Sequence, residues 1–175
     1  NSGAPSKSWD FARKRIALGD AFAAVLRQAQ ASADANILIH GIGGEAQLAG
    51  VDRVSALLEF LEWVGKAPLV AFRAEFDQTM LERGLRDTFG VPVEFAWIDL
   101  AFLLPALFRG TACDSLGDWM AHFGLAGGAR HDAVSDAFAT AQLFLIALEA
   151  ADGAGMGSPT QLLAMQKAQR RPGTR

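Results

Sequence analysis

The sequence predicts an α/β domain, and three features carry that reading. Pro68-Leu69-Val70-Ala71-Phe72 is a short, continuously apolar run of the kind that forms a strand covered on both faces. Val93 to Asp99, punctuated by Pro92, is a second strand candidate. Helical patterns follow both and culminate in a long Ala-, Leu- and Phe-rich stretch that runs on to Leu148, a helix expected to end near Ala151. Strands alternating with helices are the pattern of an α/β layer architecture. With 175 residues and 51% hydrophobic content, the chain suits one domain with a sizeable core.

Residues 1–8 are polar and expected to lack regular structure, and Trp9 to Arg13 resembles an approach to a strand that Lys14-Arg15 interrupts. Ile16 to Leu26 is open to two readings. Its alanines favour helix, whereas Gly19-Asp20 between two apolar runs suits a hairpin turn. Ile37-Leu38-Ile39 runs into the loop His40-Gly41-Ile42-Gly43-Gly44, and Glu45 to Ala49 can form one helical turn. The glycines match neither the P-loop nor the dinucleotide fingerprint, so they read as turn residues. Val51 to Lys66 is amphipathic. Val54, Leu57, Leu58, Leu61 and Val64 are expected inward, with Asp52, Arg53, Glu59, Glu62 and Lys66 outward.

After the strand at 68–72, a helix is expected from Asp77 to about Phe89, with Phe76, Met80 and Leu85 facing the core and Gly84 allowing close approach. Glu75 and Asp77 have an ordinary explanation there, because acids are stabilised at a helix N-terminus. Asp99 can cap a helix from Leu100 to about Phe108, which Pro105 bends or shortens. Asp114 or Ser115 should open the next helix, Leu116 to Phe123, and Gly124 should end it. In the long helix, Val134, Phe138, Leu143 and Ile146 are expected toward one side, with Ala137 and Ala141 permitting close packing. Asp152 to Gly157 is a flexible break, and Ser158-Pro159 starts a last helix, Thr160 to Gln169. The organisation expected is a polar leader over 1–13, a domain over 14–151, and a linker, short helix and solvated basic tail over 152–175.

The net charge of −3 gives no global basic field for nucleic acid. A site that holds metal through carboxylates would itself add negative charge, and phosphate contacts can be local. The lone Cys113 excludes an intramolecular disulfide, and no Cys/His zinc pattern is present. A reduced, cytoplasmic setting fits. No uninterrupted apolar run reaches the roughly 18 residues of a membrane span, so no membrane partner is expected. The opening Asn-Ser-Gly-Ala-Pro-Ser-Lys-Ser lacks a signal peptide's apolar core and reads as a polar leader or an excised fragment.

The most informative stretch is Ala129-Arg130-His131-Asp132-Ala133-Val134-Ser135-Asp136-Ala137-Phe138, after Gly127-Gly128. A His just outside a helix start and an Asp on its first turns can aim both side chains into one cleft. Small and apolar residues surround Asp136, and a buried carboxylate needs a metal, a cation or a hydrogen-bonding cluster. The plainer reading makes Asp132 the helix cap and His131 a loop residue. His122 reads as structural or surface, and Arg73 as an exposed arginine or a phosphate contact.

Three separated pieces resemble one family. Leu69-Val70-Ala71-Phe72-Arg73-Ala74-Glu75-Phe76-Asp77-Gln78-Thr79-Met80-Leu81 resembles the second motif of the DEDDh 3′–5′ exonucleases. His131, Ala133, Asp136 and Ala137 match the third motif, His-x-Ala-x-x-Asp-Ala. Ile39-His40-Gly41-Ile42 resembles the Ile-His-Gly-Ile loop between the first and second motifs, and the order and spacing are similar to those of the proofreading ε subunits of bacterial DNA polymerase III. The resemblance covers roughly residues 14 to 148. Two departures stand out. Phe72-Arg73 occupy positions where the family often has His-Asn, and the family's first motif, Asp-x-Glu on the first strand, is absent. About two strands are missing between Arg13 and Lys14. Loss of a central strand would strip backbone partners from its neighbours, so the parent protein is expected to carry that segment. A parent of intact mass 18.6 kDa would contradict that expectation and point to a remodelled or inactive relative.

The resemblance implies a ribonuclease H-like exonuclease fold, with a central mixed sheet flanked by helices. It implies metal-dependent 3′–5′ hydrolysis of nucleic acid, with DNA as the expected substrate, to nucleoside 5′-monophosphates. Asp77 and Asp136 would supply two of four acids for two divalent cations, Mg²⁺ or Mn²⁺, and His131 would be the general base. His40, Gly41, Ile42 and Phe76 would shape the pocket for a single-stranded 3′ end. A polymerase subunit is an implied partner. Two alternatives stay open: a catalytically inactive exonuclease-like interaction module, and an RNA-trimming enzyme of the same superfamily.

Overall fold

A computed structural model of the chain describes residues 9–10, 15–17, 19–33, 35, 37, 41–125 and 133–170. Two short strands, β1 (Trp9–Asp10) and β2 (Arg15–Ile16), pair antiparallel at the start. Helices α1 (Gly44–Leu48) and α2 (Arg53–Val64) precede β3 (Leu69–Ala71) and α3 (Glu75–Phe89). Then come β4 (Trp97–Asp99), α4 (Leu100–Leu107), α5 (Leu116–His122), α6 (Ala133–Gly153) and α7 (Pro159–Arg170).

Strands β3 and β4 run parallel, with Leu69 opposite Trp97, Val70 opposite Ile98 and Ala71 opposite Asp99. Among the described residues the strands thus form two separate pairs, where a central mixed sheet was expected. Only three residues of Val93–Asp99 pair, and most of the apolar run Ile37-Leu38-Ile39 lies outside the described residues. The pair sits against helices instead. Ile98, Leu100, Leu103, Leu104, Trp119, Leu143, Phe144, Leu148 and Leu162 share one fully buried core, with Val70 and Phe72 packed on it.

The inward faces of the helices differ from the expected ones at several positions. On α2, Leu57 and Val64 are buried with Ala56, but Val54 and Leu58 are half exposed. Asp52 is the N-cap instead of an outer-face residue, its carboxylate accepting from the Ser55 amide at 3.1 Å. On α3, Leu85 is buried, whereas Phe76 and Met80 are 71% and 52% exposed. Its less exposed positions include Gln78, Leu81 and Leu85, so of the three residues expected inward only Leu85 lies on the covered face. Gly84 has nothing within 4 Å of its Cβ position, so it makes no close approach. On α6, Thr140, Leu143, Phe144, Ala147, Leu148 and Ala151 face inward, while Val134 and Phe138 are exposed.

Other local readings fit. Ser115 and Asp118 close a full capping box on α5, and Gly124 adopts the left-handed φ of 64° after it. Pro105 lies inside α4, which stops at Leu107. Residues 20–25 form neither helix nor hairpin. Asp20 instead accepts from the Trp63 indole at 2.9 Å, and Phe22 joins Phe60 and Trp63 in an aromatic cluster that anchors the segment to α2. By length and composition α6 could cross a membrane, with a mean hydropathy of 1.4. In this fold its apolar side is the core seam against α4 and α5.

The segment 25–27 is held to Gly50-Val51 by two backbone hydrogen bonds, Val51 N to Val25 O at 2.8 Å and Arg27 N to Val51 O at 2.9 Å. A Cβ on Gly50 would sit 2.5 Å from the Val25 carbonyl oxygen and 2.7 Å from the Arg27 nitrogen, both rigid backbone. Gly50→Ala is therefore expected to cost about 1–3 kcal/mol, as overpacking does. Urea denaturation with an unchanged slope is the check, and a cost near zero would show that the segment yields freely.

Candidate active site

The site is built at the carboxyl ends of β3 and β4. After Ala71 the chain turns through Phe72-Arg73-Ala74 and enters α3, which carries Asp77 in its first turn. Arg73 takes a left-handed φ of 61°, a conformation costly for a residue with a Cβ. Asp99 holds it there. Its carboxylate accepts from the Arg73 amide at 2.9 Å, the Ala74 amide at 3.1 Å and the Ala101 amide at 3.0 Å, and the residue is 2% exposed. One buried side chain thus joins the loop before Asp77 to the start of α4. The Arg73 guanidinium adds a bond to the Asp114 carbonyl at 3.0 Å.

Asp77 is exposed at the rim. Partial burial, and then the negative charge of Asp99, push its carboxyl above the ordinary carboxylate range. The α3 N-terminus acts in the other direction, favouring the ionised form. A cavity of about 350 Å³ lies at the loop before α3; Phe72, Arg73, Glu75, Asp99, Phe102 and Arg170 are among its lining residues and Asp77 is not, and the Arg170 guanidinium sits 4.8 Å above the Phe102 ring.

Asp136 stands in the first turn of α6 and is exposed, not buried as the apolar surroundings suggested. Its neighbours Val134 and Phe138 are themselves at the surface, so no desolvation cost has to be answered there. His131 and His40 lie outside the described residues, as does Asp132. Gly41 is exposed with φ 70°, and the Ile42 carbonyl accepts from Gln47 Nε2 at 2.8 Å. Gln47 is buried, and its Oε1 accepts from the Ser32 amide, which fixes this loop. The Phe76 side chain is exposed.

Asp77 and Asp136 have the hard oxygen chemistry that Mg²⁺ or Mn²⁺ takes. No group of three or more His, Cys, Asp or Glu side chains that could hold a metal occurs among the described residues. These residues fit a divalent cation in kind but supply only part of a centre.

Residues 12–144 match the exonuclease family. The chain belongs to that family. No curated protein matches it. Membership places this exonuclease chain in the DEDD superfamily of nucleases and implies a ribonuclease H-like α/β fold, a nucleic acid substrate and the divalent metal ions the family generally uses. The match runs from before β2 into α6, and it leaves α7 outside.

Sequence reasoning missed two residues of this site. Asp99 was legible as a helix cap, and it does cap α4, but its hold on Arg73 and Ala74 depends on the β3–β4 register. Gln166, whose Oε1 accepts from the Asp99 amide and whose Nε2 donates to the Trp97 carbonyl, both at 2.7 Å, left no sequence signal.

Proposed function

We propose that the parent protein is a metal-dependent 3′–5′ exonuclease that releases nucleoside 5′-monophosphates, with DNA as its main substrate. The observation that carries this reading is one family match containing both an Asp on the first turn after an apolar strand, Asp77, and the spaced pair His131 and Asp136. Divalent ions, when bound, would polarise the scissile phosphate and stabilise the leaving oxygen. Asp77 and Asp136 would supply part of the ligand set, with the Asp-x-Glu acids of the parent supplying the rest. His131 would accept the proton of the attacking water near neutral pH. Phe76, with His40, Gly41 and Ile42, would shape the pocket for the terminal nucleotide. The similarity to proofreading subunits favours a cytoplasmic protein working beside a polymerase.

Digestion of single strands labelled at the 3′ or 5′ end, with Mg²⁺, Mn²⁺ or EDTA and protein of verified mass, tests the reading. Stepwise loss of the 3′ label, abolished by EDTA, is expected from the parent. The absent Asp-x-Glu favours a second reading for the present chain, an inactive interaction module, and cleavage by this chain alone would refute that.

His131→Ala in the parent is expected to slow hydrolysis by roughly 10²–10⁴-fold while leaving metal binding largely intact. Asp136→Asn is expected to abolish cleavage and weaken metal binding, with the fold retained. Calorimetric Mn²⁺ titrations paired with single-turnover rates separate the roles. If His131→Ala loses metal as fully as Asp136→Asn, the histidine is not the general base.

A further inference from the structure

We infer that Gln166 on α7 is a positioning residue for the candidate active site, acting through Asp99 on the loop that sets Asp77; the catalytic part of this inference rests on the proposed nuclease reading. The parallel ladder dictates the geometry. Leu69 N donates to Ala96 O, so the backbone groups of Ile98 face β3 and those of Trp97 and Asp99 face the opposite edge. That outer edge needs partners, because its backbone lies in the core. Gln166 fills the place of a strand. Its Oε1 accepts from the Asp99 amide and its Nε2 donates to the Trp97 carbonyl, each at 2.7 Å. The two backbone groups fix the orientation of the carboxamide, since only one way round satisfies both.

The expectation for 152–175 was a linker, a short helix and a solvated basic tail. Instead Leu162 is fully buried, Gln166 is 6% exposed, and α7 packs on α4 and β4. The connection then continues inward. Gln166 fixes the Asp99 backbone, and the Asp99 carboxylate binds the Arg73 and Ala74 amides at 2.9 and 3.1 Å. Ala74 is the residue from which α3 and Asp77 start. A helix beyond the family match therefore sets the entry to the helix that carries a candidate ligand.

Gln166→Met keeps the length and bulk of the side chain and removes both hydrogen bonds. In the present chain it is expected to speed amide hydrogen exchange at Asp99, Arg73 and Ala74 by about ten-fold or more, leaving the Asp118 amide on α5 unchanged. Gln169→Met, on the exposed side of α7, should leave all four amides unchanged. Gln166→Glu keeps the acceptor for the Asp99 amide but, once ionised, sets an oxygen against the Trp97 carbonyl, so it should restore protection at Arg73 and Ala74 only at a pH low enough to protonate it, when its O–H can donate to that carbonyl. Faster exchange at Asp99 with Arg73 and Ala74 untouched would overturn the inference and leave α7 as an edge cover only. Should Gln166→Met fail to fold, wild-type exchange in low denaturant decides: the three amides opening as one unit supports the coupling, and Ala74 opening independently of Asp99 overturns it. In the parent, the same Met variant should weaken Mn²⁺ binding by about 10-fold, as loss of an outer partner does. The exchange result tests the coupling whether or not the protein cleaves nucleic acid. If the three amides respond and Mn²⁺ affinity does not, the coupling stands and the assignment of Asp77 as a metal ligand is what fails.

Discussion

Asp99→Ala is expected to destabilise the fold by about 3–5 kcal/mol, because it strands buried donors rather than merely removing a contact. The carboxylate answers the amides of Arg73, Ala74 and Ala101 from a position 2% exposed. Each amide left without a partner costs about 1–3 kcal/mol, and the half-open position of Arg73 lets water recover part of that. Arg73 also loses what holds it at φ 61°, so the turn into α3 should relax along with the stability loss. Asp99→Asn retains one acceptor oxygen but points an NH₂ at a donor, and an intermediate cost of about 1–3 kcal/mol follows. Against a usual total of about 5–15 kcal/mol, the Ala variant should be close to unfolding at physiological temperature. Urea denaturation of the three proteins is the measurement, and a cost below about 1 kcal/mol for the Ala variant would mean the network is not what holds the loop.

The parts of the fold legible in the sequence are those decided by neighbours along the chain. Ser115 before α5, Gly124 after it and Asp99 before α4 are all local capping chemistry. Which helix faces turn inward is decided by what the rest of the chain offers. Phe76, Met80, Val54 and Leu58 obey a helical period that suits burial, yet stay exposed. A helical period marks which residues share a face, and not whether another element packs on that face. The candidate site divides in the same way. Asp77 and Asp136 were found by motif spacing, whereas the second task of Asp99 requires a partner 26 residues away across a strand pair. Gln166 is separated from the strand backbone it completes by 67 and 69 residues, and glutamine on a polar helix carries no mark of such a role.

The Asp77→Asn variant should separate function from stability in opposite directions. In the parent it removes a charged oxygen ligand, and the loss of cleavage should exceed the roughly 10–100-fold that removal of an outer partner costs. The fold should respond the other way. Burial and the charge of Asp99 raise the Asp77 carboxyl above its ordinary 3.8, so the folded state favours the protonated form. The sign follows from linkage: this preference is fully favourable only below the unfolded pKa and is lost as pH rises through the folded one. At neutral pH the ionised Asp77 therefore works against folding, and Asn, which cannot ionise, relieves it. The gain should be small, below about 0.5 kcal/mol, because water screens a residue at this exposed position. It should fade as the pH falls toward 3.8, where the wild-type carboxyl becomes protonated in both states. Thermal unfolding of both proteins across that range, alongside Mn²⁺ titration at neutral pH, reads both effects. If the Asn variant is less stable at neutral pH, the α3 N-terminus outweighs Asp99 and Asp77 is a stabilising first-turn acid. If it is more stable and loses metal, the residue is kept at a cost to the fold that only a ligand's role explains.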